Sequence, residues 1–146
     1  MQFKGFILVV FSLTSFFVAA QECVLGVSEK SSEILIKVFQ LNEEQVAKME
    51  VWQAELQLKT KALEDEIQLL LDTHPQSSPQ ELTTLADKYQ QLQQKIVNVS
   101  RETDVSLLSI FNEKQYERYI MLCDEARRRP IKVVPLALQG NAEIKD

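Results

Sequence analysis

Leu41-Asn42-Glu43-Glu44-Gln45 decides how this chain folds, because its pattern returns at Phe111-Asn112-Glu113-Lys114-Gln115. In both copies an apolar residue precedes Asn, and Gln follows three positions later. An Asn side chain accepts hydrogen bonds from the free backbone N–H groups at a helix start. A Gln three residues on can reach back to the Asn N–H, which makes a capping box. The apolar residue before each cap is placed to act as a hydrophobic staple, Leu41 toward Val46 and Phe111 toward Tyr116. The same device therefore opens a helix twice. The long segment between the copies reads as an antiparallel helical hairpin.

Composition agrees with helix. The chain has 146 residues, of which 45% are hydrophobic and only 3 are Gly and 4 Pro, so few residues interrupt a helix. The length suits one folded domain. The formal net charge of -5 argues against nucleic acid, which needs a basic stripe to neutralise phosphates.

Residues 1–20 read as a secretory signal peptide. Lys4 is the positive start, Phe6 to Phe17 is the apolar stretch, and Val18-Ala19-Ala20 supplies the small residues before cleavage. The apolar run meets Gln21 and Glu22 too early for a membrane span, which needs roughly 20 apolar residues. The expected product begins at Gln21, is periplasmic or secreted, and has no stable membrane insertion. Loss of Lys4 takes its net charge from -5 to -6. Export places Cys23 and Cys123 in an oxidising compartment. The simplest pairing is a disulfide between them, and the alternative is two free or intermolecular thiols.

Along the chain, Ile34, Leu35, Val38 and Phe39 give a first helix over 29–39, with Ser28 before it. The second helix runs from the Asn42 cap to about Asp72. Met49, Leu56, Leu63 and Leu70 recur every seven residues, a seam for helix packing. His74-Pro75 breaks it. Ser78, Pro79 and Glu81 then form a third capping box with proline at the first helical position. Leu82, Leu85, Tyr89, Leu92, Ile96 and Val99 carry the third helix to about Ile110. Thr103 interrupts this seam, which resumes in shifted phase at Leu107 and Leu108. The Asn112 cap opens a fourth helix ending near Arg129. Arg127, Arg128 and Arg129 are expected in its last turn, complementing the macrodipole. The predicted fold is therefore all-α, with four helices and a long central antiparallel hairpin. Residues 21–129 form the helical domain, and 130–146 read as a disordered tail, in which the apolar run Val133 to Leu138 is available to dock on the helices or pair with a partner.

Little here suggests chemistry on a substrate. The only histidine, His74, lies in a proline loop, and no nucleophile–base constellation or glycine-rich phosphate loop is visible. No ligand pair has a recognised metal spacing, so no metal or cofactor is expected. Asn98-Val99-Ser100 matches a glycosylation sequon but falls in mid-helix on the seam.

An exported, small, all-helical chain with two Leu-Thr-x-x-Gln-like motifs resembles the Spy/CpxP family of periplasmic stress proteins. The matching positions are Leu41, Asn42 and Gln45, then Phe111, Asn112 and Gln115, with Asn in place of Thr in both copies and Phe in place of the second Leu. The resemblance spans roughly residues 29–129. It implies a four-helix cradle that often dimerises and a non-enzymatic role, either ATP-independent chaperone or modulator of envelope stress. Its partners would be unfolded polypeptides or a sensor domain. Candidate contact residues are Val51, Trp52, Leu58, Tyr116 and Tyr119, whose alternative role is burial in the core. A coiled-coil assembly module of the envelope and a metal-responsive accessory protein are the rival readings.

Overall fold

A computed structural model describes residues 21–136. The signal-peptide segment 1–20 and the end of the expected tail, 137–146, lie outside the described residues. The elements in order are β1 (Glu22–Cys23), a 3-10 turn (Glu29–Ser31) leading into α1 (Ser32–Phe39), α2 (Glu43–Thr73), α3 (Pro79–Ser109), α4 (Glu113–Glu125) and β2 (Arg129–Pro130). The fold is mostly helical, as expected, and the two long helices α2 and α3 pack together. At 1.5 Å per residue each is about 45 Å long.

The three expected caps are formed. Asn42 Oδ1 accepts from the Gln45 N–H at 2.9 Å, and Gln45 Oε1 accepts from the Asn42 N–H at 3.1 Å. Asn112 and Gln115 do the same at 3.0 and 2.9 Å. Ser78 accepts from the Glu81 N–H at 3.2 Å, while Glu81 Oε2 takes the N–H groups of Ser77 and Ser78. His74 ends α2 in an extended conformation, as a residue before proline should.

The two motif glutamines do more than cap. Gln45 Nε2 donates to Gln115 Oε1 at 2.8 Å, and Gln115 Nε2 donates back to Gln45 Oε1 at 2.9 Å. The second hydrogen of each amide goes to the end of the opposite helix. Gln45 donates to the Ile110 carbonyl at 2.7 Å and Gln115 to the Phe39 carbonyl at 3.0 Å. Each amide therefore uses two donors and two acceptor lone pairs, its full inventory. Both side chains are buried, and no buried side-chain nitrogen or oxygen among the described residues lacks a partner. This pairing sets the start of α2 beside the end of α3, so the two helices run antiparallel. It also sets the start of α4 beside the end of α1.

The core gathers around that junction. Leu35 and Phe39 of α1, Met49 of α2, Leu107 and Leu108 of α3, and Tyr119 and Cys123 of α4 are buried with Leu41 and Phe111. The Phe39 and Phe111 rings lie 4.9 Å apart. Toward the loop at 74–78 only the seam remains, with Leu85 and Leu92 buried and Leu56, Leu63, Ile67 and Leu70 half-buried.

Three expectations need correction. First, α4 stops at Glu125, so the arginines do not form its last turn. Arg127 takes a left-handed conformation (φ 54°), and Arg129 already belongs to β2. The chain turns there to pair with β1, in parallel register Glu22 to Arg129 and Cys23 to Pro130. Second, the segment 21–28, to which the sequence gives no periodicity and so no expected element, is anchored by that pairing and by the Cys23–Cys123 disulfide. Third, the start of the expected tail is packed. Ile131 is 2% exposed and Pro135 is buried. Tyr119 accepts the Ile131 N–H at 2.8 Å, while Tyr116 donates to the Ile131 carbonyl at 3.0 Å and accepts the Val133 N–H at 3.2 Å. Apolar burial at Ile131 and these bonds hold a segment that has no periodicity of its own.

The amide pair gives a testable coupling. Q45M or Q115M alone strands a buried amide and should cost roughly 2–3 kcal/mol in urea denaturation. The double variant should cost less than the sum by about 1 kcal/mol or more, because the two side chains act as one unit. Asn42→Ala and Asn112→Ala should each cost about 0.5–2 kcal/mol. C23S/C123S releases a closure of sequence separation 100 and should lower stability by as much as about 4–5 kcal/mol on the chain-entropy account.

Candidate functional site

The five sequence candidates separate into two groups. Val51 is 57% and Leu58 73% exposed, on the side of α2 turned away from α3. They continue a line that the heptad seam does not use. Ala47, Val51, Ala54, Leu58, Ala62 and Leu69 recur at three- and four-residue steps, or one such pair of steps, and all are exposed. That spacing gives an apolar stripe on one helical face. The Glu44–Lys48 and Glu55–Lys59 ion pairs lie along one side of it, and Asp65, paired with Lys61, interrupts the line between Ala62 and Leu69. Trp52 is half-buried and packs on the core cluster, so it joins the stripe to the core rather than standing free.

Tyr116 and Tyr119 do not belong to this surface. Tyr119 is 1% exposed; its hydroxyl donates to the Cys23 carbonyl at 2.6 Å and accepts from the Ile131 N–H. Tyr116 is half-buried, and its ring centroid lies 5.8 Å from that of Tyr119. Both hydroxyls hold the backbone of the chain ends against α4. Burial raises the Tyr119 hydroxyl above its ordinary pKa. A tyrosine at the end of an apolar helical face gave no sign in sequence of which backbone groups would reach its hydroxyl.

The structure adds a site that the sequence reading missed. Asp104, 1% exposed, sits where the α3 seam changes phase. Its Oδ2 accepts the N–H groups of Leu25 and Gly26 at 2.8 and 3.1 Å, and its Oδ1 accepts the Val27 N–H at 3.1 Å. Gly26 has φ +67°, which lets three successive N–H groups turn toward one carboxylate. Burial pushes the Asp104 carboxyl above the usual aspartate range, against those three bonds, which pull it down. One turn earlier, Arg101 makes a two-pronged pair with Glu22 at 2.7 and 2.8 Å. That hydrogen bond holds the Glu22 carboxyl below its ordinary range. The available signal was the interruption at Thr103: a carboxylate follows it on a face where the seam requires an apolar residue.

As chemistry, the arrangement binds and holds. Asp104 is saturated by backbone donors, and His74 is in the connecting loop with its Nδ1 2.8 Å from the Pro75 carbonyl. Among the described residues no three His, Cys, Asp or Glu side chains are grouped so as to hold a metal ion, and no helix is long and apolar enough to cross a membrane. Comparison of the chain with family models, with curated proteins and with solved structures finds no match.

Asp104→Ala removes the acceptor of three N–H groups and should destabilise by roughly 2–4 kcal/mol, while Asp104→Asn keeps one oxygen and should cost less. Because folding raises the Asp104 pKa, its ionisation opposes folding. The stability difference between wild type and D104N should be greatest below the ordinary aspartate range and shrink as pH rises through the raised value. Glu22, held low, contributes the opposite trend, fully present above the ordinary glutamate range and lost as pH falls through its depressed value. It cancels in that comparison because both proteins contain it. Urea titrations across acid and neutral pH measure the difference.

Proposed function

We propose that this chain is an exported, non-enzymatic helical binding protein of the Spy/CpxP type. It holds partly unfolded polypeptide, or the domain of an envelope-stress sensor, without ATP. The observation that carries the reading is the outer stripe of α2. Val51, Leu58 and Leu69 are 57%, 73% and 62% exposed on one face of a long helix, beside paired charges. A stripe of this kind offers apolar contact to a flexible chain, and the charged borders keep the free protein soluble. The direct pairing of the two motif copies through Gln45 and Gln115 supports the family resemblance, since it gives both copies one shared architectural purpose. On this reading the four helices form a cradle of the Spy/CpxP kind, in the periplasm.

The second reading, an assembly module that docks on one envelope partner or on a second copy, draws on the same stripe. Its regular spacing over α2 also suits a single partner helix. A pull-down with one stoichiometric partner, or a dimer by sedimentation, favours it.

Suppression of client aggregation in the absence of ATP tests the chaperone reading. The wild-type chain should protect several unrelated clients at stoichiometric amounts. V51S/L58S should lose that protection while keeping the wild-type melting temperature, since both side chains are exposed. Failure of the wild type with every client removes the reading.

A further inference from the structure

A groove of about 540 Å³ lies where the end of α1 meets the start of α4. Lys37, Val38 and Gln40 line one side, and Asn112, Lys114 and Arg118 the other. No carboxylate lines it, in a chain whose net charge is -5. Lys114 and Arg118 stand one helical turn apart and have no ion-pair partner within 4.0 Å among the described residues. Lys37 pairs only with Glu33, at 3.6 Å and with both side chains largely exposed, a contact weak enough to be exchanged. The groove also has an apolar element: Val38, in its lining, is 37% exposed. Ile34, one turn earlier on the same face of α1, is 63% exposed but lies outside the lining.

We propose that this groove binds an acidic, partly apolar segment of a partner polypeptide. Three cations drawn from two helices suit carboxylates spaced along an extended chain, and Val38 suits an apolar residue beside them. The lining sets an apolar side chain, Val38, beside cations from both helices, which favours a peptide over a phosphate. The start of α4 is not the attraction, because Asn112 already caps it by accepting from the Gln115 N–H. The proposal deepens the polypeptide-binding reading by naming the partner's chemistry, but it stands on residues apart from the α2 stripe.

Fluorescence anisotropy of the disulfide-bonded protein with a short labelled peptide of alternating Glu and Leu tests it, with a Lys and Leu peptide as the comparison. The acidic peptide should bind and the basic one should not. Binding should weaken as salt is raised, since exposed charges are screened. K114E/R118E should reduce affinity about tenfold or more with an unchanged melting temperature, and V51S/L58S should leave it intact. Equal binding of the two peptides, no binding at low salt, or unchanged affinity in K114E/R118E would overturn the proposal. Loss of aggregation suppression in V51S/L58S with acidic-peptide binding retained separates the two sites.

Discussion

The buried amide pair of Gln45 and Gln115 is the constraint on which the rest of the architecture depends. An amide in the core is costly unless every donor and acceptor is used. Here each amide satisfies its own Asn N–H, its twin and the last carbonyls of the opposing helix. Four helix ends are therefore fixed by two side chains. Glutamate would make the capping box equally well, but it cannot do the second job. Two carboxylates facing each other repel, and neither has a hydrogen to give to Ile110 or Phe39. The requirement for an acceptor and a donor on one planar group explains why Gln stands in both copies.

A second set of contacts ties the chain ends to this centre. Cys23 is bonded to Cys123, Asp104 gathers the N–H groups of Leu25, Gly26 and Val27, and Tyr119 bonds both Cys23 and Ile131. These interactions differ in kind. The disulfide limits the unfolded chain, whereas Asp104 and Tyr119 act only in the folded state. Segments with no helical or strand periodicity thus become ordered because α3 and α4 present the polar atoms that their backbones need.

The distribution of burial then separates the molecule into regions with different capacities. Near the amide pair, all four helices and the segments around Cys23, Val27 and Ile131 contribute to one core. Between Gln53 and Arg101 no residue belongs to that core, and α2 and α3 pack on each other. Two helices bury one seam and leave the rest of their surface to solvent. The stripe through Val51 and Leu58 follows from that thinness. The cationic groove lies at the opposite extreme, on the outside of the densest part of the fold, and so has a rigid base. An apolar surface on the hairpin and a charged one at the junction are the two features that a polypeptide partner would meet.

Much of this was legible in the chain itself. Asn42, Ser78 and Asn112 are placed three residues before Gln, Glu and Gln, and local hydrogen bonding alone fixes those helix starts. The seven-residue recurrence of Met49, Leu56, Leu63 and Leu70 fixed which face of α2 packs, because helical geometry is periodic. With only two cysteines in the sequence, the simplest pairing was the one formed. The tertiary structure decided the rest, where the partners are far apart in sequence. Nothing local shows that Gln45 will meet Gln115, that Asp104 will hold residues 25–27, or that Tyr119 will be consumed by Cys23 and Ile131. The same reason ends α4 at Glu125: the pairing of Arg129 with Glu22 outweighs the helical preference of three arginines. Capping and amphipathic period are properties of neighbours along the chain, and sequence states them. Satisfaction of a buried polar group depends on which distant backbone arrives beside it, and only the folded chain determines that.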